Sequence, residues 1–340
     1  MQSDELILPT VADVESAAQR IADHAYYTPM LESPLLNRQL GGRLLVKAEV
    51  VQRTGSFKFR GAYNKISRLT DTERAASVVA FSSGNHAQGV AHASQLQGVP
   101  ATIVMPADAP NIKLTNTRAY GANVVTYNRN NEDREKIGRD IADRTGAALI
   151  KPFDDPDIIA GQGTVGLEIV EQLAERGLRP DAVVGPVGGG GLIAGMGLGL
   201  DSRETGIPLF GVEPEEFDDT RRSLLSGRRE SNPPGRQSIC DALLAESPGE
   251  ATFALNRSRL EDCLVVSDGD AQTAMAAAFT HFKIVVEPGG AVALAAVLSG
   301  RISCQDRCVV VVASGGNVDP QTFTASMDSV DWSAPPLATT

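Results

Sequence analysis

Two signatures are missing from this chain. Its four cysteines (Cys240, Cys263, Cys304, Cys308) form no Cys-x-x-Cys pair, and its four histidines give no His-Glu-x-x-His. Neither a zinc site nor a disulfide framework is suggested, and reduced thiols in a cytoplasm fit best. Surplus positive charge is missing too. Lys and Arg number 31 against 42 Asp and Glu, giving a formal net charge of -11 and a pI near 4.9. Nucleic acid and anionic membrane are repelled at long range by such a chain, which leaves a small molecule as the expected partner. The start, Met1-Gln2-Ser3-Asp4-Glu5, has no basic stretch ahead of an apolar core, so no secretory leader is expected. Residues 182–200 carry no charge, but eight of them are glycine and Pro186 lies among them, which suits a strand, turn and helix rather than a membrane span. What remains is ordinary for a soluble globular protein of one large or two smaller domains: 340 residues, 42% hydrophobic and 21% charged.

The most informative stretch is Thr54-Gly55-Ser56-Phe57-Lys58-Phe59-Arg60-Gly61, which sets one lysine between aromatic rings and glycines. A lysine in a partly apolar pocket loses solvation of its charged form and becomes a usable nucleophile or Schiff-base partner. The alternative is a lysine that snorkels from a helix start. Arg43 to Glu49 reads as the strand leading into this loop and Gly61 to Leu69 as the helix leaving it. The same pattern recurs. Val78 to Phe81 leads into Ser82-Ser83-Gly84-Asn85-His86, Ala182 to Val184 into Gly188-Gly189-Gly190-Gly191, and Val309 to Val312 into Ser314-Gly315-Gly316-Asn317. Apolar strands alternating with helices imply an α/β fold with parallel sheets, whose ligands bind at the carboxyl ends of the strands.

Four glycines after a strand free backbone N–H groups for an anion at a helix start, the chemistry of a phosphate cradle. No Lys-Ser or Lys-Thr follows, so this is not a P-loop, and the strict G-x-G-x-x-G register is missing. Glu213 lies where a dinucleotide fold keeps its ribose-binding acid, which keeps a nicotinamide oxidoreductase open as a second class. The Ser82 to His86 loop offers hydroxyls, an amide and backbone donors suited to a carboxylate or phenolate oxygen, and a plain serine cap would look similar. Ser314 also reads as a cap, and no hydrolase triad accompanies it in an identifiable motif.

Together, Ser56-Phe57-Lys58, Ser83-Gly84-Asn85-His86, the Gly188 to Gly191 loop, Glu287-Pro288-Gly289-Gly290 and Ser314-Gly315-Gly316-Asn317 resemble the serine/threonine dehydratase and serine racemase family, fold-type II pyridoxal-phosphate enzymes. The resemblance runs from about Val14 to Pro320, with the motifs in family order. It implies a two-domain, tryptophan synthase β-like fold with mainly parallel sheets flanked by helices, a homodimer, and pyridoxal 5'-phosphate (PLP) as cofactor. Residues 1–71 and 152–322 would form the large PLP-binding domain, 72–151 a small α/β domain and 323–340 a tail. Lys58 would be the Schiff-base lysine, Gly188, Gly189, Gly190 and Gly191 the phosphate cradle, Asn85 the partner of the phenolic oxygen and Ser314 that of the pyridine nitrogen. Phe57 would pack beside the cofactor, while Ser82, Ser83 and His86 border the substrate carboxylate.

The implied activity is that of an ammonia-lyase (dehydratase) turning a β-hydroxy amino acid such as L-threonine or L-serine into a 2-keto acid and ammonia. Serine racemase or 3-hydroxyaspartate dehydratase is the alternative within the family. Ser83 matches the serine that racemases place opposite the lysine, and Arg134 matches an arginine of serine racemases and hydroxyaspartate dehydratases, suited to a second substrate carboxylate. Ile239-Cys240-Asp241-Ala242 departs from the Ala-Asp-Gly pattern of those subgroups. The carboxylates from Glu213 to Asp219 read either as a solvated acidic loop or as hard-cation ligands. By resemblance, Glu213, the Phe217 carbonyl and Asp219 would hold Mg²⁺ or Ca²⁺. The acidic and polar Glu215 to Arg236 segment is expected at the surface, and the chain after Pro320 is expected to be loose.

Overall fold

A computed structural model of the chain describes residues 6–82, 84–129, 131–203 and 206–330. Among them, ten strands make two sheets. They are β1 (Met30–Glu32), β2 (Arg43–Ala48), β3 (Val78–Phe81), β4 (Ala101–Pro106), β5 (Asn123–Tyr127), β6 (Ala148–Ile150), β7 (Ala182–Pro186), β8 (Leu209–Pro214), β9 (Asp262–Val266) and β10 (Cys308–Ala313). The larger sheet runs β1-β2-β10-β7-β8-β9, parallel except for β1, and the smaller runs β5-β4-β3-β6, parallel throughout. The α/β architecture with mainly parallel sheets is therefore as the sequence implies.

The central strands read as unbroken apolar runs because both of their faces are covered. Along β10, Val309 and Val311 join one core while Val310 and Val312 join another. Leu44 and Val46 of β2 and Ala182 and Val184 of β7 likewise face the first core, with Leu45 and Val183 facing the second. Because β2, β10 and β7 are adjacent, the lysine loop, the Ser314 loop and the glycine loop emerge side by side. The smaller sheet brings the loop after β3 to the same place.

Helix ends follow local chemistry. Thr10 caps Val11–Ile21 through a capping box with Asp13, as its position suggests. The helix Pro156–Glu175, capped by Asp155, has no counterpart in the sequence reading. It carries glycines where other backbones come close: a Cβ on Gly161 would stand 2.5 Å from Gly61 Cα, and one on Gly163 would stand 2.8 Å from the Gly195 carbonyl oxygen. It therefore lies directly against both the helix that starts at Lys58 and the helix that follows the glycine loop.

Two expectations need correction. The chain does not turn loose after Pro320, because Pro320–Asp328 is a helix capped by Asp319, with Phe323 and Met327 packed on the first core. Residues 331–340 lie outside the described residues. Nor is Glu215 to Arg236 simply surface. Asp219–Ser226 is a helix whose Asp219, Thr220 and Ser223 are buried, since its first turn docks on β8 through Glu213. No helix among the described residues is long and apolar enough to cross a membrane.

Candidate active site

The lysine loop is held before it reaches Lys58. Thr54 and Gly55 both take positive φ, 62° and 72°, and the loop is tied down by its neighbour. Ser56 bridges Gly315, Phe57 N–H donates to the Ser314 carbonyl at 3.1 Å, and Gly316 N–H donates to the Gly55 carbonyl at 2.9 Å. Lys58 then opens the helix Lys58–Ser67. Its amine donates to the Pro152 carbonyl at 2.7 Å and lies 5.2 Å from the Phe57 ring centroid. Burial pushes its pKa down to about 8, so this amine is far more available as a nucleophile than an exposed lysine.

One pocket is lined by Phe57, Lys58, Ser82, Asn85, His86, Arg134, the four glycines and Ser314. Nearly the whole expected cofactor and substrate set therefore converges. Ser83 lies outside the described residues. The glycine loop has no room for side chains: Gly190 has φ 88°, and a Cβ on Gly189 would stand 2.3 Å from the Phe153 ring. The helix Gly191–Asp201 starts at this loop without a side-chain cap, and its first residues Gly191 and Leu192 line the pocket, which sets the positive end of its dipole beside it. Thr252 Oγ1 donates to the Gly189 carbonyl at 2.7 Å and Asn256 Nδ2 to that of Gly190 at 3.3 Å, fixing the loop from behind. An amine, an anion cradle and a neutral hydroxyl around one pocket fit an aldehyde phosphate such as PLP.

His86 is neutral here. Burial and the nearby Lys58 push its pKa down to about 3. Its Nε2 lies 3.0 Å from the Ile150 carbonyl, which can only accept, so Nε2 carries the proton and Nδ1 is left as an acceptor without a partner. Arg134 lines the pocket with its guanidinium 5.8 Å from the Phe81 ring; it makes no salt bridge among the described residues, and the neighbouring Asp133 feels its charge. Missing from the sequence reading is Lys113, which lines the same pocket and is 2% exposed. Nothing in its local sequence marks it.

The sequence pattern described as "Pyridoxal-phosphate dependent enzyme" matches residues 21–315. The chain belongs to this family. Membership makes PLP its cofactor class and leaves the nicotinamide alternative without support. Within the PLP-dependent enzymes, the chain is 44% identical over 319 residues to L-threo-3-hydroxyaspartate ammonia-lyase of Saccharomyces cerevisiae, spanning 94% of this chain and 96% of the relative. The solved threonine deaminase of T.th. superposes with a TM-score of 0.86 at 45% identity, covering 92% of this chain and 99% of that one. Maize serine racemase gives 0.88 at 35% identity, covering 95% and 98%.

The acidic residues after β8 are a separate group. Glu213 is fully buried and accepts backbone N–H bonds from Thr220 at 2.9 Å and Arg221 at 3.0 Å. Asp219 is 1% exposed, and its Oδ2 has no hydrogen-bond partner. Burial and the Asp219 charge push Glu213 up to about 8, and burial pushes Asp219 up to about 7. Phe217 sits in the intervening turn. Among the described residues no group of three or more His, Cys, Asp or Glu side chains is arranged for a metal. A cation here would have only two carboxylates and would draw on carbonyl and water oxygens.

Proposed function

We propose that this chain is a PLP-dependent ammonia-lyase whose substrate is a β-hydroxy amino acid with a second carboxylate, the 3-hydroxyaspartate class, rather than L-threonine or L-serine. The observation that carries this reading is Arg134, a guanidinium that lines the pocket and, among the described residues, makes no salt bridge, with the charge of the adjacent Asp133 acting on it. A planar fork of donors there pairs well with a carboxylate and has nothing to offer a methyl group. The name of the Saccharomyces cerevisiae relative points the same way.

When bound, the cofactor supplies an electron sink for the Cα carbanion. The chain does the rest. Lys58 would hold the cofactor and, with its amine free, would take the Cα proton; the β-hydroxyl would leave as water with the proton returned by the Lys58 ammonium, and water would hydrolyse the released enamine to keto acid and ammonia. The glycine loop would hold the phosphate, Asn85 would donate to the phenolic oxygen and Phe57 would pack beside the ring. Ser314 offers a hydroxyl to the pyridine nitrogen, and a hydroxyl does not keep a proton there as a carboxylate would, so β-elimination is favoured over reactions that need a long-lived carbanion. Ser82 and the backbone donors at the start of Asn85–Gln97 receive the α-carboxylate, with His86 as a neutral wall. By its sequence match to the racemase serine, Ser83 would supply the proton for any racemisation. Residues 72–151 act as the smaller domain against 1–71 and 152–322. Glu213, the Phe217 carbonyl and Asp219 bind Mg²⁺ or Ca²⁺, for which the unpartnered Asp219 oxygen is the support.

A panel of L-Ser, L-Thr, D-Ser and the 3-hydroxyaspartates, assayed for ammonia and keto acid, tests the reading. We expect a hydroxyaspartate to be preferred, and Arg134→Gln to lose that preference by tenfold or more, about 1.4 kcal/mol or above. A parent enzyme that prefers L-threonine, with Arg134→Gln unchanged, overturns the substrate assignment.

A further inference from the structure

One buried charge in the pocket wall has no part in the reaction just described. The stem of Lys113, from the helix Asn111–Ala119, crosses Gly84, where a Cβ would stand 2.5 Å from the lysine Cδ. Its ammonium donates to Asp241 Oδ2 at 2.8 Å and to Glu287 Oε2 at 3.2 Å. Glu287 is 1% exposed, and its other oxygen accepts from Asn85 Nδ2. On the far side, Asn317 Nδ2 donates to Asn85 Oδ1 and to the Thr54 carbonyl, both at 2.8 Å. The Asn85 amide is therefore gripped from two directions, and its remaining N–H is the one free for a ligand.

We propose that Lys113 is a positioning residue that latches the helix Asn111–Ala119 onto Asp241 and keeps Glu287 as the charged acceptor that aims Asn85 at the cofactor. This rests on Asn85 being the partner of the phenolic oxygen. Two groups of formal charge meet the Glu287 carboxylate: Lys113, and Asp241 beyond it. Asp108, Arg129 and Asp319 line the neighbouring cavity. Burial raises the pKa of Glu287, Lys113 pulls it back and Asp241 opposes that pull. Without the ammonium, a carboxylate in this position takes up a proton rather than remain an unpaired buried charge. A neutral acid is a weaker acceptor for the Asn85 N–H. The latch also spans the two sheets, since Asn111–Ala119 belongs to the smaller sheet's side, whereas Asp241 and Glu287 belong to the larger.

The test uses the holoenzyme. Lys113→Met keeps an unbranched stem over Gly84 and removes the charge. Two results are expected: a pH-dependent transition in the absorbance of bound cofactor that the parent lacks, and amide exchange in residues 111–119 about tenfold faster or more. The double variant Lys113→Met/Glu287→Gln should lose the new transition while keeping the fast exchange. Glu287→Gln alone, which spares the Asp241 pair, should shift the absorbance without speeding exchange, so the inference stays testable if Lys113→Met folds poorly. Parental absorbance and exchange in Lys113→Met at full cofactor occupancy overturn the proposal, as does a transition that survives in the double variant. A parent that takes up no PLP overturns the reading of the site itself, and the latch with it.

Discussion

Two buried charge clusters flank the middle of the larger sheet, and they are balanced differently. Beneath the lysine loop, Lys47, Glu49, Arg60 and Glu168 set two cations against two carboxylates. Arg60 reaches Glu49 through Nε and Nη2 at 2.8 Å each and Glu168 through Nη1 at 2.6 Å, while Lys47 adds Glu168 at 2.5 Å and the Thr28 carbonyl at 2.8 Å. Burial alone would raise the pKa of Glu49, yet Arg60, aided by Lys47 and the Thr28 hydroxyl, outweighs it and holds that carboxyl below its ordinary range. At the end of β8, Glu213 and Asp219 have no cation hydrogen-bonded to them, since Arg222 is turned to Asp218 at 2.7 Å and Arg221 lends only its backbone N–H. Their pKa values rise to about 8 and about 7. Glu49 is as deeply buried as Glu213 and Asp219, while Glu168 keeps a partly exposed side chain. The first cluster balances its charges internally, whereas the second has neutral donors alone, among them the Thr220 and Arg221 N–H groups on Glu213 and Asn232 Nδ2 on Asp219, and leaves Asp219 Oδ2 unpartnered.

Breaking the balanced cluster should give the largest effect. Arg60→Met strands Glu49 and part of Glu168, and the expected loss is about 3–5 kcal/mol of unfolding free energy by denaturant titration of the apo-protein. A smaller loss than that of an ordinary core truncation would show that the cluster relaxes or hydrates.

The unbalanced pair should respond to pH and to metal. Both carboxyls have folded pKa values above their unfolded ones, so the folded state binds the extra protons. Stability is then expected to fall as pH rises from about 4 through about 8 and to be lowest above that. At the proposed site Mg²⁺ or Ca²⁺ would replace the lost protons, so its effect on the melting temperature should be larger at pH 8.5 than at pH 5.5, and EDTA should reverse it. A metal effect independent of pH, or none, would count against the site.

Asp219→Asn sharpens the comparison. At pH 8.5 without metal it removes one of two repelling charges, and relief of one pKa unit would be worth about 1.4 kcal/mol of added stability. The same change should abolish the response to metal. The smallest effect belongs to an exposed pair as control: Arg139→Gln, which breaks the 3.4 Å contact with Glu135, is expected to change stability by less than about 0.5 kcal/mol.

Sequence reading succeeded where one residue type has one physical use. Valine runs marked the strands with two buried faces, and glycines and serines after them marked the loops at the strand ends. It failed where meaning depends on a distant partner. Lys113 looks like any lysine in a polar helix until Asp241 and Glu287, more than a hundred residues away, close on it. Asp219, singled out only by resemblance, reads locally as one more acid in a surface run, and its burial emerges only when Glu213 draws its helix onto β8. The last helix carried a local signal, Asp319 as cap and Pro320 at its first position, obscured by the threonines and serines around it. The helix Pro156–Glu175 was hidden by its own glycines, which read as breakers but serve close packing.

Those glycines have a consequence for how the pocket is gauged. A pyridine ring with a short phosphate ester arm has a limited reach, so the proposed anchoring amine and anion cradle must stand within a narrow range of separations. Here that spacing is set by Gly61, Gly161, Gly163 and Gly195, where backbone touches backbone without intervening side chains. Side chains can change rotamer to absorb an error, whereas contacting main chains cannot. The helix Pro156–Glu175 thus works as a spacer of invariable thickness between lysine and cradle, and one added methyl at Gly161 would move the two ends of the ligand site apart with no rotamer able to bring them back.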